Sequence, residues 1–176
     1  MHLRIKAFAG GEVEVPAMRR RWILGLAGFL LLGLPVLAQD TTLWIGPAVG
    51  NVLKRDRHSY GSLEVRRRFF TAGRWSWEAG AALEANSVEY YLGVALSLRY
   101  ALSNRWSLSL TTGPGRYSNH YFDLGSRLEF RSGVELARKL RKGRRVAVGL
   151  FHYSNGGTAS HNPGTESVRV ALVLPL

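Results

Sequence analysis

From Leu92 to Tyr100 every second residue is apolar. Leu92, Val94, Leu96, Leu98 and Tyr100 share one parity, and Tyr91, Gly93, Ala95, Ser97 and Arg99 the other. Successive side chains of a strand point to opposite faces, so this pattern predicts a strand with one apolar and one polar face. The period returns at Trp106, Leu108 and Leu110 against Ser107, Ser109 and Thr111. It returns again at Leu124, Leu128, Phe130, Val134 and Leu136 against Gly125, Arg127, Glu129, Arg131, Gly133 and Glu135. That last polar face carries four charges on one strand. A small soluble core does not accept them unpaired, whereas the polar interior of a membrane barrel does.

The whole chain reads as all-β, an eight-stranded antiparallel transmembrane β-barrel. Strands are expected at about 41–50, 62–70, 74–85, 88–101, 105–113, 123–137, 145–154 and 166–175. Connections 71–73, 102–104 and 138–144 are short or basic; 51–61, 114–122 and 155–165 are longer and polar. Short turns on one side and long loops on the other is the outer-membrane pattern, with both termini periplasmic and loop 155–165 extracellular. Trp44, Tyr60, Trp75, Trp77, Tyr90, Tyr91, Tyr100, Trp106, Tyr117 and Tyr121 are expected to form interface girdles. A soluble sandwich or lipocalin-like barrel is the competing architecture.

The amino terminus supports export. Arg19, Arg20 and Arg21 precede an apolar run from Trp22 to Leu34, and Val36-Leu37-Ala38 suits a cleavage site. This pattern predicts a secretory signal peptide cut after Ala38, with Met18 as the translation start. A membrane anchor is the alternative, but the apolar run is short for one. Residues 1–38 are therefore an extension plus leader, and 39–176 the barrel. Removing 1–38 takes five of the 24 basic and two of the 12 acidic residues and leaves a net charge of +9. Export argues against a nucleic-acid partner, and a phosphate-rich lipid surface fits better. The basic run Arg138–Arg145 and the cluster Arg66-Arg67-Arg68 are read as charges at the periplasmic strand ends. There is no cysteine, hence no disulfide and no thiolate zinc site.

The candidate chemistry lies at Phe151-His152-Tyr153-Ser154-Asn155 and at Glu166. His152 and Ser154 are two apart and so share a face. An imidazole can take the proton of a hydroxyl nucleophile, and a carboxylate can hold that imidazole in the right tautomer. His152 and Ser154 are in phase with Val146, Val148 and Leu150; Glu166 is in phase with Val168, Val170, Leu172 and Leu174. All three polar groups thus lie on the lipid-facing parity, where polar residues are costly and functional by default. His161 lacks this phasing and reads as a loop residue. His58 and His120 read as surface residues of other loops.

The segment FHYSNGGTASHNPGTE, residues 151–166, resembles the outer-membrane lipid A 3-O-deacylases of PagL type. That family has a His-x-Ser-Asn motif, an Asn-Pro-Gly loop and a Glu fourteen residues after the His. The resemblance implies an eight-stranded barrel with an exterior active site facing the outer leaflet. It implies Ser154 as nucleophile, His152 as base and Glu166 as orienting acid. It suggests that Asn155 and Asn162 form or support the oxyanion hole, with donors near Asn155 and Gly156. The expected activity is a serine esterase that removes the 3-O-linked acyl chain from lipid A of lipopolysaccharide, with no metal or organic cofactor. Two other readings remain. One is a non-catalytic structural or adhesive barrel, which leaves the shared phase of His152, Ser154 and Glu166 unexplained. The other is a different outer-membrane lipid hydrolase or an acyltransferase, told apart by which lipid gains or loses a chain.

Overall fold

A computed structural model describes residues 4–6, 12–14, 40–118 and 122–176. The leader, Met18, His120 and Tyr121 lie outside the described residues. Within the first unit, Met1–Gln39, Arg4–Lys6 pairs antiparallel with Glu12–Glu14. The second unit, Asp40–Leu176, is the barrel.

Its strands are β1 (Thr41–Gly50), β2 (His58–Ala72), β3 (Trp75–Ala85), β4 (Tyr90–Ala101), β5 (Trp106–Tyr117), β6 (Leu128–Lys139), β7 (Arg145–Ser154) and β8 (Thr165–Pro175). Each pairs antiparallel with its sequence neighbours, and β8 pairs with β1 to close the sheet. Closure leaves no unpaired edge, which a sheet in hydrocarbon requires. The apolar parity faces outward: Val94, Leu110, Val148 and Val170 are all exposed. The polar parity faces inward.

Inside, charges are paired into a plug. Glu64 on β2 meets three arginines: Arg66 Nε at 2.6 Å, Arg131 Nη2 at 2.7 Å and Arg169 Nη1 at 2.7 Å. Arg66 also reaches Glu135 at 2.5 Å, Arg131 reaches Glu84 at 2.8 Å, and Arg169 donates to Glu135. The guanidinium of Arg66 stacks on Trp44 at 4.0 Å; those of Arg131 and Arg169 lie over Phe151 at 4.5 and 4.8 Å. A second pair, Arg99–Glu78 at 2.8 Å, sits nearer the other end of β3 and β4.

The structure corrects several sequence expectations. Strand β2 begins at His58, not residue 62, and β5 runs on through Gly113-Pro114-Gly115 to Tyr117. These residues suggest a turn, but a Cβ on Gly115 would stand 2.4 Å from the Tyr91 ring, so here the glycine makes room for an inward aromatic. Pro114 faces outward, and the ladder to β4 skips Val94 and Ala95 where proline has no N–H to give. Strand β6 starts at Leu128, not 123, and Leu124 is a buried loop residue packed with Tyr91, Tyr117, Phe151 and Tyr153. Among the expected girdle aromatics, Trp44, Tyr91 and Tyr117 are buried inside the barrel. Trp75 and Trp106 do lie exposed at the rim, with Trp75 against Tyr100 at 4.5 Å. Arg66 belongs to the plug rather than to an end-of-strand cluster. His58 is half-buried, with its ring 4.7 Å from that of Phe122 and its Nε2 3.6 Å from Glu89.

Candidate active site on the outer wall

Strands β7 and β8 carry the site side by side. Val146, Val148 and Leu150 occupy the outward parity of β7, so the next two positions of that parity, His152 and Ser154, must also face outward. On β8 the same rule places Glu166 outward, ahead of Val168 and Val170. The register sets Glu166 directly opposite His152. Their side chains meet, Nδ1 of His152 lying 3.2 Å from Oε1 of Glu166. The imidazole is half exposed and the carboxylate a quarter exposed. Because Nδ1 faces the carboxylate, Nε2 is the nitrogen left for another partner. Ser154 ends β7 on the same face, opposite Phe130 of β6. Ser154 and His152 make no hydrogen bond in this structure; such contacts often tighten only when substrate arrives.

The loop between these strands is held by two asparagines. Asn155 is fully buried. Its Nδ2 donates to the carbonyls of His161 at 2.7 Å and Leu124 at 3.1 Å, and its Oδ1 accepts from the Gly157 N–H at 2.9 Å. Its own N–H donates to Oδ1 of Asn162 at 3.1 Å. The polar groups of Asn155 therefore shape the loop, and Asn162 acts through it. His161 is exposed and contributes its backbone carbonyl, not its ring. Gly156, at φ +63°, leaves its N–H without an acceptor among the described residues. That amide is the free donor beside Ser154.

Two features were missed from sequence. Gly164, at φ +58°, abuts the imidazole: a Cβ there would stand 2.8 Å from Cε1 of His152. Lys54 from the β1–β2 loop donates to the Gly164 carbonyl at 3.2 Å and fixes this approach. The other is a pair of outward hydroxyls, Thr112 on β5 and Ser132 on β6, 2.9 Å apart. Ser132 is the register partner of His152. A hydroxyl on an otherwise apolar parity is the signal that could have found both.

A closed eight-stranded barrel with an apolar outer band and charged interior defines an outer-membrane β-barrel protein, and polar groups on its outer wall single out the enzymes of that class. A family-wide profile described as lipid A 3-O-deacylase (PagL) matches residues 52–175, so the chain belongs to that family. No curated protein matches the sequence. Among solved structures, the outer-membrane enzyme PagL superposes with a TM-score of 0.57 at 20% identity, covering 77% of this chain and 99% of that one. Yersinia pestis Ail in a phospholipid nanodisc matches with a TM-score of 0.49 at 13% identity over 76% of this chain and 98% of its own. Neisserial surface protein A matches with a TM-score of 0.47 at 10% identity over 78% and 98%. The first likeness, like the closed sheet, gives the fold: an outer-membrane barrel.

Proposed function

We propose that this protein is a serine esterase that cleaves the 3-O-linked acyl ester of lipid A from the outer wall of its barrel. The observation that carries this reading is the His152–Glu166 contact on the lipid-facing parity, with Ser154 one step along the same face. Family membership supplies the substrate class. In the proposed reaction, Oγ of Ser154 attacks the ester carbonyl carbon while Nε2 of His152 takes the hydroxyl proton. The electron pair of the carbonyl moves onto its oxygen, which the Gly156 N–H stabilises. One such donor contributes about 2.7–4 kcal/mol in well-studied hydrolases. The pair then returns, the sugar–oxygen bond to the acyl carbon breaks, and the imidazolium protonates the departing alkoxide. Glu166 holds the ring and balances its charge throughout. Water, deprotonated by His152, attacks the acyl-serine and releases the fatty acid.

The site is placed for this substrate. The strand ends carrying Ser154 and Thr165 mark the outer rim, where the esters of an outer-leaflet lipid lie. The test is mass spectrometry of lipid A from cells making wild-type, Ser154→Ala or Glu166→Ala protein, with heat-modifiable gel mobility reporting the folded fraction. Ser154→Ala should fall to background. Glu166→Ala should lose up to roughly 10⁴-fold in turnover and keep a trace. A folded Ser154→Ala protein that still shortens lipid A would overturn the assignment of the nucleophile.

A further inference from the structure

The outward polar groups do not stop at the triad. Read across the sheet, Glu166 pairs with His152, His152 with Ser132, and Ser132 with Thr112. Four adjacent strands thus carry one continuous polar line through an apolar wall. Leu110 and Val134, beside the two hydroxyls along their strands, are exposed, as is Leu96, the partner of Thr112 across the β4–β5 ladder.

The line also descends. Counted from the outer ends of their strands, Glu166 is the second residue of β8 and His152 the third of β7. Ser132 is the fifth of β6 and Thr112 the sixth of β5. The hydroxyl pair therefore lies deeper in the membrane than the base, on the side where an acyl chain leaves its ester for the hydrocarbon. In that medium a polar side chain has no water to bond, and its presence asks for a partner. The two hydroxyls satisfy one proton between them and leave a second proton and free lone pairs facing outward.

We infer that Ser132 and Thr112 form a subsite for an oxygen substituent on the acyl carbons next to the scissile ester. It selects hydroxyalkanoyl esters over plain alkanoyl ones. The inference rests on the esterase reading above, because it takes the ester to sit at Ser154 and His152. A site that hydrogen-bonds a substrate hydroxyl discriminates against the analogue lacking it, since its own groups then stay unpaired.

The probes are two lipid A analogues whose 3-O-acyl chains have equal length, one with a hydroxyl on the chain's third carbon and one without. Purified barrel in mixed micelles is assayed for kcat/KM on each. Wild-type protein should prefer the hydroxylated chain. Ser132→Ala and, separately, the isosteric Thr112→Val should each shrink that preference by about 3- to 10-fold, the worth of one hydrogen bond. The loss should fall on the hydroxylated analogue, with the plain one turned over as before. Both positions face lipid, so a variant that fails to fold at one leaves the other to report. A preference unmoved by either substitution in folded protein overturns the subsite alone. Wild-type protein that cleaves neither analogue overturns the esterase reading and the subsite with it.

Discussion

Replacing Gly164 by alanine tests whether catalysis depends on where the imidazole of His152 stands. The added Cβ would lie 2.8 Å from Cε1 and 3.4 Å from Nε2 of that ring, and 3.3 Å from the Tyr153 carbonyl. Ordinary contact begins at 3.4 Å, so the ring must retreat by about 0.6 Å, the difference between those two distances. The Nδ1–Glu166 contact starts at 3.2 Å, and such a retreat carries it toward the limit of a hydrogen bond. A misplacement of about 1 Å costs on the order of 10²-fold in rate, so Gly164→Ala should lose about 10- to 100-fold in turnover. Alanine at φ +58° also strains the backbone by about 1–2 kcal/mol. Gly157→Ala separates the two effects. Gly157 sits at φ +80° in the same loop, with nothing within 4 Å of its would-be Cβ. It should show a similar loss of stability and keep turnover close to wild type. Folded fraction is read by heat-modifiable mobility and turnover by lipid A mass. Equal activity per folded molecule in the two variants would refute the idea that Gly164 makes room for the base.

Arg169→Ala removes one of the plug's cations and leaves Glu64 and Glu135 short of a partner; denaturation should show a loss of about 3–5 kcal/mol, with activity per folded molecule kept. Asn155→Ala removes three side-chain hydrogen bonds that shape the loop; activity should fall while the barrel still shows heat-modifiable mobility, at a cost of about 1–3 kcal/mol. Thr158→Cys places a thiol on the exposed loop, and intact cells should be labelled there by a membrane-impermeant maleimide.

The alternation made the barrel legible, because an outer wall in lipid demands the same parity over every strand. It was clearest at Leu92–Tyr100 and faint in β1, where Trp44 turns inward to lie under Arg66. No local pattern tells an inward tryptophan from a girdle one; the partner lies on another strand. Strand ends were misread where glycine and proline carried two meanings, as at Gly113-Pro114-Gly115. The parity of His152, Ser154 and Glu166 could be read directly, because β7 and β8 are regular up to the loop. Their register could not. That Glu166 stands opposite His152, and not two residues away, is set by ten loop residues held by Asn155 and Asn162. The meeting of Thr112 with Ser132 depends on pairing between β5 and β6 in the same way.

The plug explains why the chemistry belongs on the outer wall and how it is kept still there. Arg66, Arg131 and Arg169, with Glu64, Glu84 and Glu135, fill the space between Trp44 and Phe151 inside the barrel. Nearly every one of these groups has an opposite charge within hydrogen-bonding distance, so the interior is a locked ionic lattice, and an acyl chain has nowhere apolar to go within it. The outer surface already sits in hydrocarbon. The lattice also reaches the site through the backbone. Phe151, just before His152, lies beneath the guanidinium groups of Arg131 and Arg169. Tyr153, just after it, donates its hydroxyl to Glu84. The strand segment that carries the base is therefore fastened inside at the residues on either side of it. A catalytic group on an exposed wall has few neighbours of its own to fix it, and here the fixing is done from the opposite face. Weakening this anchor by Tyr153→Phe should loosen His152 without touching any group that meets substrate. Turnover should fall several-fold with KM unchanged, and a wild-type kcat in that variant would mean the wall positions the base unaided.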